Sequence, residues 1–447
     1  MRPAGEDFRF GVWRVTRFYV PLLLQAFSQS LTYPLVAGIV THGRFGVNAL
    51  TAFSQGQVIM FMIGALGGGL VTTGMVFART WYGYLSFRRL NAWMMAALLA
   101  LQCVPALPPF AGWLFGGFFA LPPELAEISR GTLALGVVMN AGFFLRNVPM
   151  VVLFNNLQSG KANNATVARI AVTLLCSAAF PRLGWTGPWW GLLALTAGVW
   201  TEYALTSSAA RPYVLALRRE GVPTPPHREV AALTLEQFRF TLPLSLGGFL
   251  LATSPLIIAA FVARSANAAD MLAIHYVTIG VANPVAYAAL RLQAVAVEFP
   301  QEHPRDRRLL WYALAAGAAL GFIPFLFSLP AVGDWYFGSF QNVPPRILRT
   351  TELAIGIYAF IPVVHAVRAR IEGVAAARRR PSAIMAGQIA YSTSLLLVCA
   401  VLLPLGCPGW AMAITAIFVA PVCVCATIYA ALGWGTGGAQ ARTGDGA

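Results

Sequence analysis

The sequence predicts an all-α integral membrane fold of twelve transmembrane helices, arranged as two parallel six-helix repeats related by a pseudo-twofold axis along the membrane normal. Three observations lead there. Hydrophobic residues make up 58% of the 447 residues, charged residues only 11%, and the mean hydropathy is +0.67, whereas soluble proteins carry about 25% charged residues. Apolar runs longer than the ~20 residues needed to cross hydrocarbon recur along the whole chain. A string near the start, RFYVPL at 17–22, returns as RFTLPL at 239–244, an offset of 222 (239 − 17).

In order, the predicted spans are 14–41, 47–77, 91–112, 128–153, 165–182, 187–212, 237–264, 269–298, 309–331, 348–372, 382–404 and 408–432. In lipid every backbone polar group must be paired within its own segment, so such runs are helices; the short alternation of a membrane barrel is absent. The first helix opens on RFYVPL, with Pro21 and Pro34 inside it, and the second carries GALGGG at 64–69, where helices bend or approach closely. After the third comes a long apolar, proline-rich stretch, VPALPPFAGWLFGGFFALPPELAE (104–127), read as an external interfacial segment. The fourth helix holds Arg146, and the sixth follows a glycine elbow, LGWTG (183–187). A polar linker, RREGVPTPPHREV (218–230), precedes the seventh, which opens on RFTLPL and contains Pro243 and Pro255. Pro284 and Arg291 lie in the eighth helix, Pro362 and Arg368 in the tenth, and a second elbow, LGCPG (405–409), introduces the twelfth. The expected domains are therefore a first bundle (1–213), a cytoplasmic linker (214–236), a second bundle (237–433) and a flexible cytoplasmic tail (434–447).

Charge sets the orientation. Loops after even-numbered helices carry Arg79, Arg88 and Arg89; Lys161; Arg218, Arg219 and Arg228; Arg305, Arg307 and Arg308; and Arg378, Arg379 and Arg380. The opposite loops are poorer in arginine and hold Glu124, Glu127 and Asp334. By the positive-inside rule both termini are cytoplasmic, and the membrane expected is a bacterial cytoplasmic (inner) one. The same dispersal removes nucleic acid as the reason for the net charge of +15, because no soluble module gathers the arginines with stacked aromatics. No cleavable signal peptide is expected, since the stretch 1–13 mixes acids with arginines and the apolar run after it is too long. The six cysteines lie mostly within helices and read as small apolar core residues. No phosphate loop, HExxH, GxSxG or spaced metal-ligand cluster is present, so neither an enzyme nor a cofactor is expected.

The repeat points to function. LGWTG and LGCPG share the offset of 222 (405 − 183), as do Arg146 and Arg368 (368 − 146), and YPL at 33–35 matches SPL at 254–256 with a gap of one position. Six helices per repeat bring both halves in from the same side. Parallel repeats of this kind place a substrate site near the midplane and work by alternating access, as secondary transporters do.

At RFYVPL, at GMVF (74–77), at PVVHAVRARIEG (362–373) and at the LGCPG elbow, the chain resembles the multidrug, oligosaccharidyl-lipid and polysaccharide (MOP, MATE-like) exporter superfamily. Within it the chain is most similar to the progressive ankylosis transporter family, whose pattern matches Pro362, Val363, Val367, Arg368, Ala369 and Gly373. The resemblance implies an exporter of small anionic metabolites of the pyrophosphate, nucleotide or citrate type.

Ionisable side chains inside membrane helices are costly and are candidates by default. Arg146 and Arg368, each within roughly 10 Å of its cytoplasmic helix end, are expected to bind the anion, with Arg291 extending the same basic cavity; a guanidinium fork suits phosphate or carboxylate. Either arginine alone reads equally as one that snorkels to the headgroups, and their symmetry favours binding. The first helix contributes Gln25, Ser28, Gln29 and Thr32 and the second Ser54, Gln55 and Gln57, a polar stripe at three- and four-residue spacing. These amides, with Asn140 and Asn147, either line the cavity or bond helix to helix. Glu202 in WTEY, His365 and His275 are the titratable candidates for coupling; Glu202 reads at least as readily as a partner for an arginine. The expected partners are a small anionic substrate, membrane lipid and a coupling proton or cation, with the chain a monomer. A cation-coupled multidrug exporter, a lipid-linked precursor flippase, a membrane-embedded transferase and a membrane-embedded scaffold are the alternatives.

Overall fold

Two residue types that rarely take a left-handed backbone do so at matching points of the chain. Leu157 has φ 55° and Arg379 φ 54°, and they too are related by the offset of 222 (379 − 157). Each closes a helix in the same way. Leu157 donates to the Phe154 carbonyl at 2.9 Å and Gln158 to that of Leu153 at 2.8 Å, while Arg379 donates to Ala376 and Arg380 to Ala375, both at 2.9 Å. These paired bonds satisfy carbonyls that a helix end leaves orphaned. The glycines of the two elbows repeat as well, with φ +75° at Gly184 and +71° at Gly406, a conformation that strains any residue with a Cβ.

The computed structural model describes residues 10–119, 121–220, 227–299, 307–341 and 343–433. The side chains of 28–35, 47, 48, 51, 118, 220, 227, 269 and 340 lie outside that description. So do the predicted tail (434–447), the middle of the predicted linker (221–226) and the side chain of Gln29. The first repeat comprises Val12–Thr41 (α1), Gly46–Ala65 (α2), Gly69–Phe77 (α3), Trp81–Cys103 (α4), Pro108–Ala111 (α5), Pro123–Asn155 (α6), Ser159–Arg182 (α7) and Pro188–Glu220 (α8). The second comprises His227–Val262 (α9), Ala268–Leu290 (α10), Leu292–Glu298 (α11), Arg308–Ser328 (α12), Pro330–Gly333 (α13), Pro345–Tyr358 (α14), Ile361–Ala377 (α15), Pro381–Leu402 (α16) and Gly409–Ala431 (α17). Among the described residues nine spans are long and apolar enough to cross a membrane, ten if the bent pair Trp81–Ala106 and Pro108–Gly117 is one. With α1 and α8, of 30 and 33 residues, the helices make twelve crossings in two repeats.

Three crossings are broken. The α2/α3 break falls at the GALGGG glycines, the α10/α11 break at Arg291, and the α14/α15 break at Ala359 and Phe360. The last corrects the single tenth helix expected over 348–372. Pro362 supplies no N–H to the turn before it, and the matching position of the first repeat is Asn140 (362 − 222), inside the unbroken α6. α12 fits against this break through Gly317 and Gly321. A Cβ on Gly321 would sit 2.1 Å from the Ala359 carbonyl oxygen, and one on Gly317 2.5 Å from Val363 Cα. The third helix also starts earlier than expected, at Trp81 instead of 91, because the Thr80 hydroxyl caps it by accepting from Gly83 N–H at 3.2 Å. Arg88 and Arg89 therefore ride on a helix and not in a loop, their stems long enough to reach the headgroups.

The proline-rich stretch after α4 has a counterpart in the second repeat. α5 runs into a π-helical turn at Gly112–Phe118, and α13 runs into one at Asp334–Phe340. Trp113 is 68% exposed and Trp335, its equivalent (335 − 113 = 222), 61% exposed. Large rings at equivalent outer positions fit anchoring at the membrane–water boundary.

The chain divides into two packing units at Ala252 and Thr253: the first runs from Thr16 to Ala252, and the second takes Thr253 onward together with the first residues of α1, up to Val15. The division falls inside α9. In the first unit the Thr73 and Thr241 hydroxyls are 2.7 Å apart, Gln237 Nε2 donates to the Gly83 carbonyl at 3.3 Å, and the Phe77 and Phe240 rings meet edge to face. The sequence repeat thus begins at 237, whereas the packing changes partner at 253.

Candidate functional site

In the first unit Glu202, fully buried in the middle of α8, gathers four helices. Its Oε2 accepts from Arg146 Nη1 on α6 at 2.6 Å and from Arg169 Nη1 on α7 at 3.1 Å. Its Oε1 accepts from the Thr166 hydroxyl, which in turn accepts from Gln25 Nε2 on α1 at 3.0 Å. The Arg146 guanidinium also lies 4.9 Å from the Phe143 ring centroid, a favourable cation–π arrangement. Two guanidiniums thus converge on one carboxylate. Burying charge in a low-dielectric interior is tolerated only with such convergent partners.

The second unit holds a related cluster. Arg368, 1% exposed on α15, donates from Nε to Glu372 Oε1 at 2.7 Å and from Nη2 to Gln388 Oε1 at 2.8 Å. Gln388 Nε2 closes the triangle on Glu372 at 2.8 Å, and the guanidinium lies 4.7 Å from the Tyr391 ring centroid. Arg368 Nη1 and the Nδ1 of buried His365 have no hydrogen-bond partner among the described residues.

Aligned by the offset of 222, Arg146 matches Arg368, Thr166 matches Gln388, and Arg169 matches Tyr391. The carboxylate does not follow the offset. In the first unit it comes from α8, and in the second from α15 itself, one turn beyond the arginine.

The remaining expected site residues disperse. Asn140 donates to Gln102 Oε1 at 2.7 Å, and Asn147 to Asn91 Oδ1 at 3.5 Å. Both therefore tie α6 to α4, the helix-to-helix alternative weighed for them. Gln55 is half-buried on α2, Arg291 is half-buried at the α10/α11 break, and His275 is buried on α10 with no partner for Nδ1 among the described residues. Sequence reasoning missed Arg169, Thr166, Glu372, Gln388 and Tyr391. Arg169 was detectable as a charge inside an apolar helix, and Glu372 as an acid at i+4 from Arg368; Thr166 and Gln388 carried no signal beyond their shared offset.

No protein-family model matches the chain, and no curated protein matches it. Solved structures do. A eukaryotic MATE transporter, AtDTX14, superposes with a TM-score of 0.65 at 12% identity, covering 94% of this chain and 95% of that one. A MOP superfamily transporter from Pyrococcus furiosus gives 0.64 at 16% identity, over 94% and 96%. The Vibrio cholerae MATE transporter VcmN in its bent form gives 0.68 at 13% identity, over 95% and 97%. The chain thus has the fold of the MATE transporters of the MOP superfamily, twelve helices in two repeats.

Proposed function

We propose that the protein is a secondary-active, alternating-access exporter of small polyanionic metabolites, of the pyrophosphate, nucleotide or citrate type. The observation that carries the reading is the convergence of two guanidiniums, Arg146 and Arg169, on the buried Glu202 carboxylate inside the bundle. A site built for cationic drugs would gather carboxylates instead. On this reading Glu202 occupies the arginines in place of substrate, and a proton on Glu202 would leave both forks to an incoming anion. Arg368 serves the same role in the second unit, with Arg291 and Gln25 as accessory groups and His365 and His275 as further titratable candidates. The fold accommodates pockets of opposite charge: the Pyrococcus furiosus structure is described by a binding pocket of reverse polarity that suggests a different function. The arginine-rich loops support a cytoplasmic position for both termini.

The test is flux from proteoliposomes loaded with pyrophosphate, citrate, ATP or a cationic dye. The variant Arg146→Gln/Arg169→Gln/Glu202→Gln removes both guanidiniums together with the carboxylate they share, so none of the three is left without its partner. Anion flux in the native chain, lost in this correctly inserted variant, is expected. Dye flux without anion flux would establish the multidrug alternative in its place.

A further inference from the structure

The first unit also carries a basic groove apart from the Glu202 cluster. It is an open cavity of about 490 Å³ framed by α4, α6 and α8. Arg88 and Arg211 line it, together with the hydroxyl-bearing Tyr84, Tyr203, Ser207 and Ser208. Both arginines are exposed, and neither has a carboxylate partner among the described residues. The rest of the wall is apolar, with Leu145 and Val148 facing Val214 and Leu215.

Depth decides what such a groove meets. α8 starts at Pro188, beside the exposed Trp185 and Trp189, and about 20 residues of helix cross the hydrocarbon. Ser207, Ser208 and Arg211 then fall where the hydrocarbon ends and the headgroups begin. Arg88 lies roughly 10 Å along α4 from Trp81, which stacks on Tyr84 at the helix start. Aromatic rings at that level are usual at the membrane boundary. The groove therefore presents two cations beside tyrosine and serine hydroxyls to the headgroup layer, and an aliphatic wall to the acyl chains.

The second repeat lacks it: the positions matching Arg88 and Arg211 are Leu310 (88 + 222) and Gly433 (211 + 222). The groove is not a by-product of the duplicated scaffold. We propose that it is a binding site for one anionic phospholipid of the adjoining leaflet, its phosphate held between Arg88 and Arg211 and its acyl chain against α6 and α8. Anionic lipids are held in this way by basic pockets between transmembrane helices.

The experiment titrates the detergent-purified full chain with phosphatidylglycerol or phosphatidylcholine and counts bound lipid by native mass spectrometry. The native chain is expected to prefer phosphatidylglycerol. Arg88→Ala/Arg211→Ala should lose about 30-fold in affinity for it, and Ser208→Trp, which fills the groove without altering charge, should lose it too. Arg218→Ala/Arg219→Ala removes the same charge from the exposed end of α8 and should leave the preference intact. Three results would overturn the site: a preference that survives both groove variants, one lost equally in the Arg218/Arg219 control, or thermal stabilisation by inorganic phosphate equal to that by phosphatidylglycerol.

Discussion

Thr166 and Gln388 hold the same place in the two repeats (388 − 166 = 222) and the same task, each donating to the carboxylate that grips its unit's arginine. Thr166 donates to Glu202, and Gln388 to Glu372. The helper has stayed on the equivalent helix while the acid has moved. Retention of the fork with relocation of its counter-charge indicates that the guanidinium is the part the architecture keeps.

The shared carboxylate makes the first cluster asymmetric towards mutation. Glu202→Gln takes the shared carboxylate from two inward-facing guanidiniums and is expected to cost about 3–5 kcal/mol. Arg169→Met leaves the Arg146–Glu202 pair intact and replaces a buried cation with an apolar chain, so its cost should be much smaller. Thermal unfolding of the two variants in the same detergent checks the order; a reversed ranking would show that Arg169 and not Arg146 is the essential partner.

In the second cluster acid and base lie on one helix. Arg368→Gln alone leaves Glu372 buried with only Gln388, and a loss of about 3–5 kcal/mol is expected. Arg368→Gln/Glu372→Gln should recover at least half of that, because no charge remains to desolvate. The double-mutant cycle measures the coupling, and strict additivity would mean that the pair is not a unit.

The elbows rest on backbone conformation and not on packing. Around Gly184 and Gly406 a Cβ would meet nothing within 4 Å, yet both have positive φ. Alanine at either should cost about 1–2 kcal/mol from strain alone. Gly160, equally open but within α7, should be neutral or gain up to about 1 kcal/mol as alanine. Equal responses at the three positions would contradict this account.

The broken crossing depends on close approach. Gly321→Ala should cost about 1–3 kcal/mol through overpacking against the Ala359 carbonyl. Hydrogen exchange should rise locally at Ala359–Val363. An unchanged exchange pattern there would show that α12 does not brace the break.

Much of the candidate site was legible in advance. Arg146, Arg368 and Glu202 stood out because a charge inside an apolar run is costly and needs a partner or a task. Asn140 and Asn147 were equally visible but ambiguous, since an amide signals only that it needs a partner. Arg169 and Glu372 carry the same charge signal, and their partners follow only from the packing of α7 on α8 and of Glu372 on Gln388. The α4 start at Trp81 was hidden because Arg88 and Arg89 lower the local hydropathy, while their long stems let the helix continue past them.

The sequence by itself determined the solvent, the number of crossings and the duplication, because these depend on local quantities: hydropathy summed over one membrane-spanning length of helix, and strings that return at a fixed offset. It also located the elbows, where glycine is required by a single dihedral angle. Tertiary structure alone decided which carboxylate serves which arginine, where α14 gives way to α15, and that α9 divides its packing at Ala252 and Thr253. Those outcomes turn on distances between helices far apart in the chain, where a shift of one helical turn would exchange one hydrogen-bond partner for another, and no local pattern records such a choice.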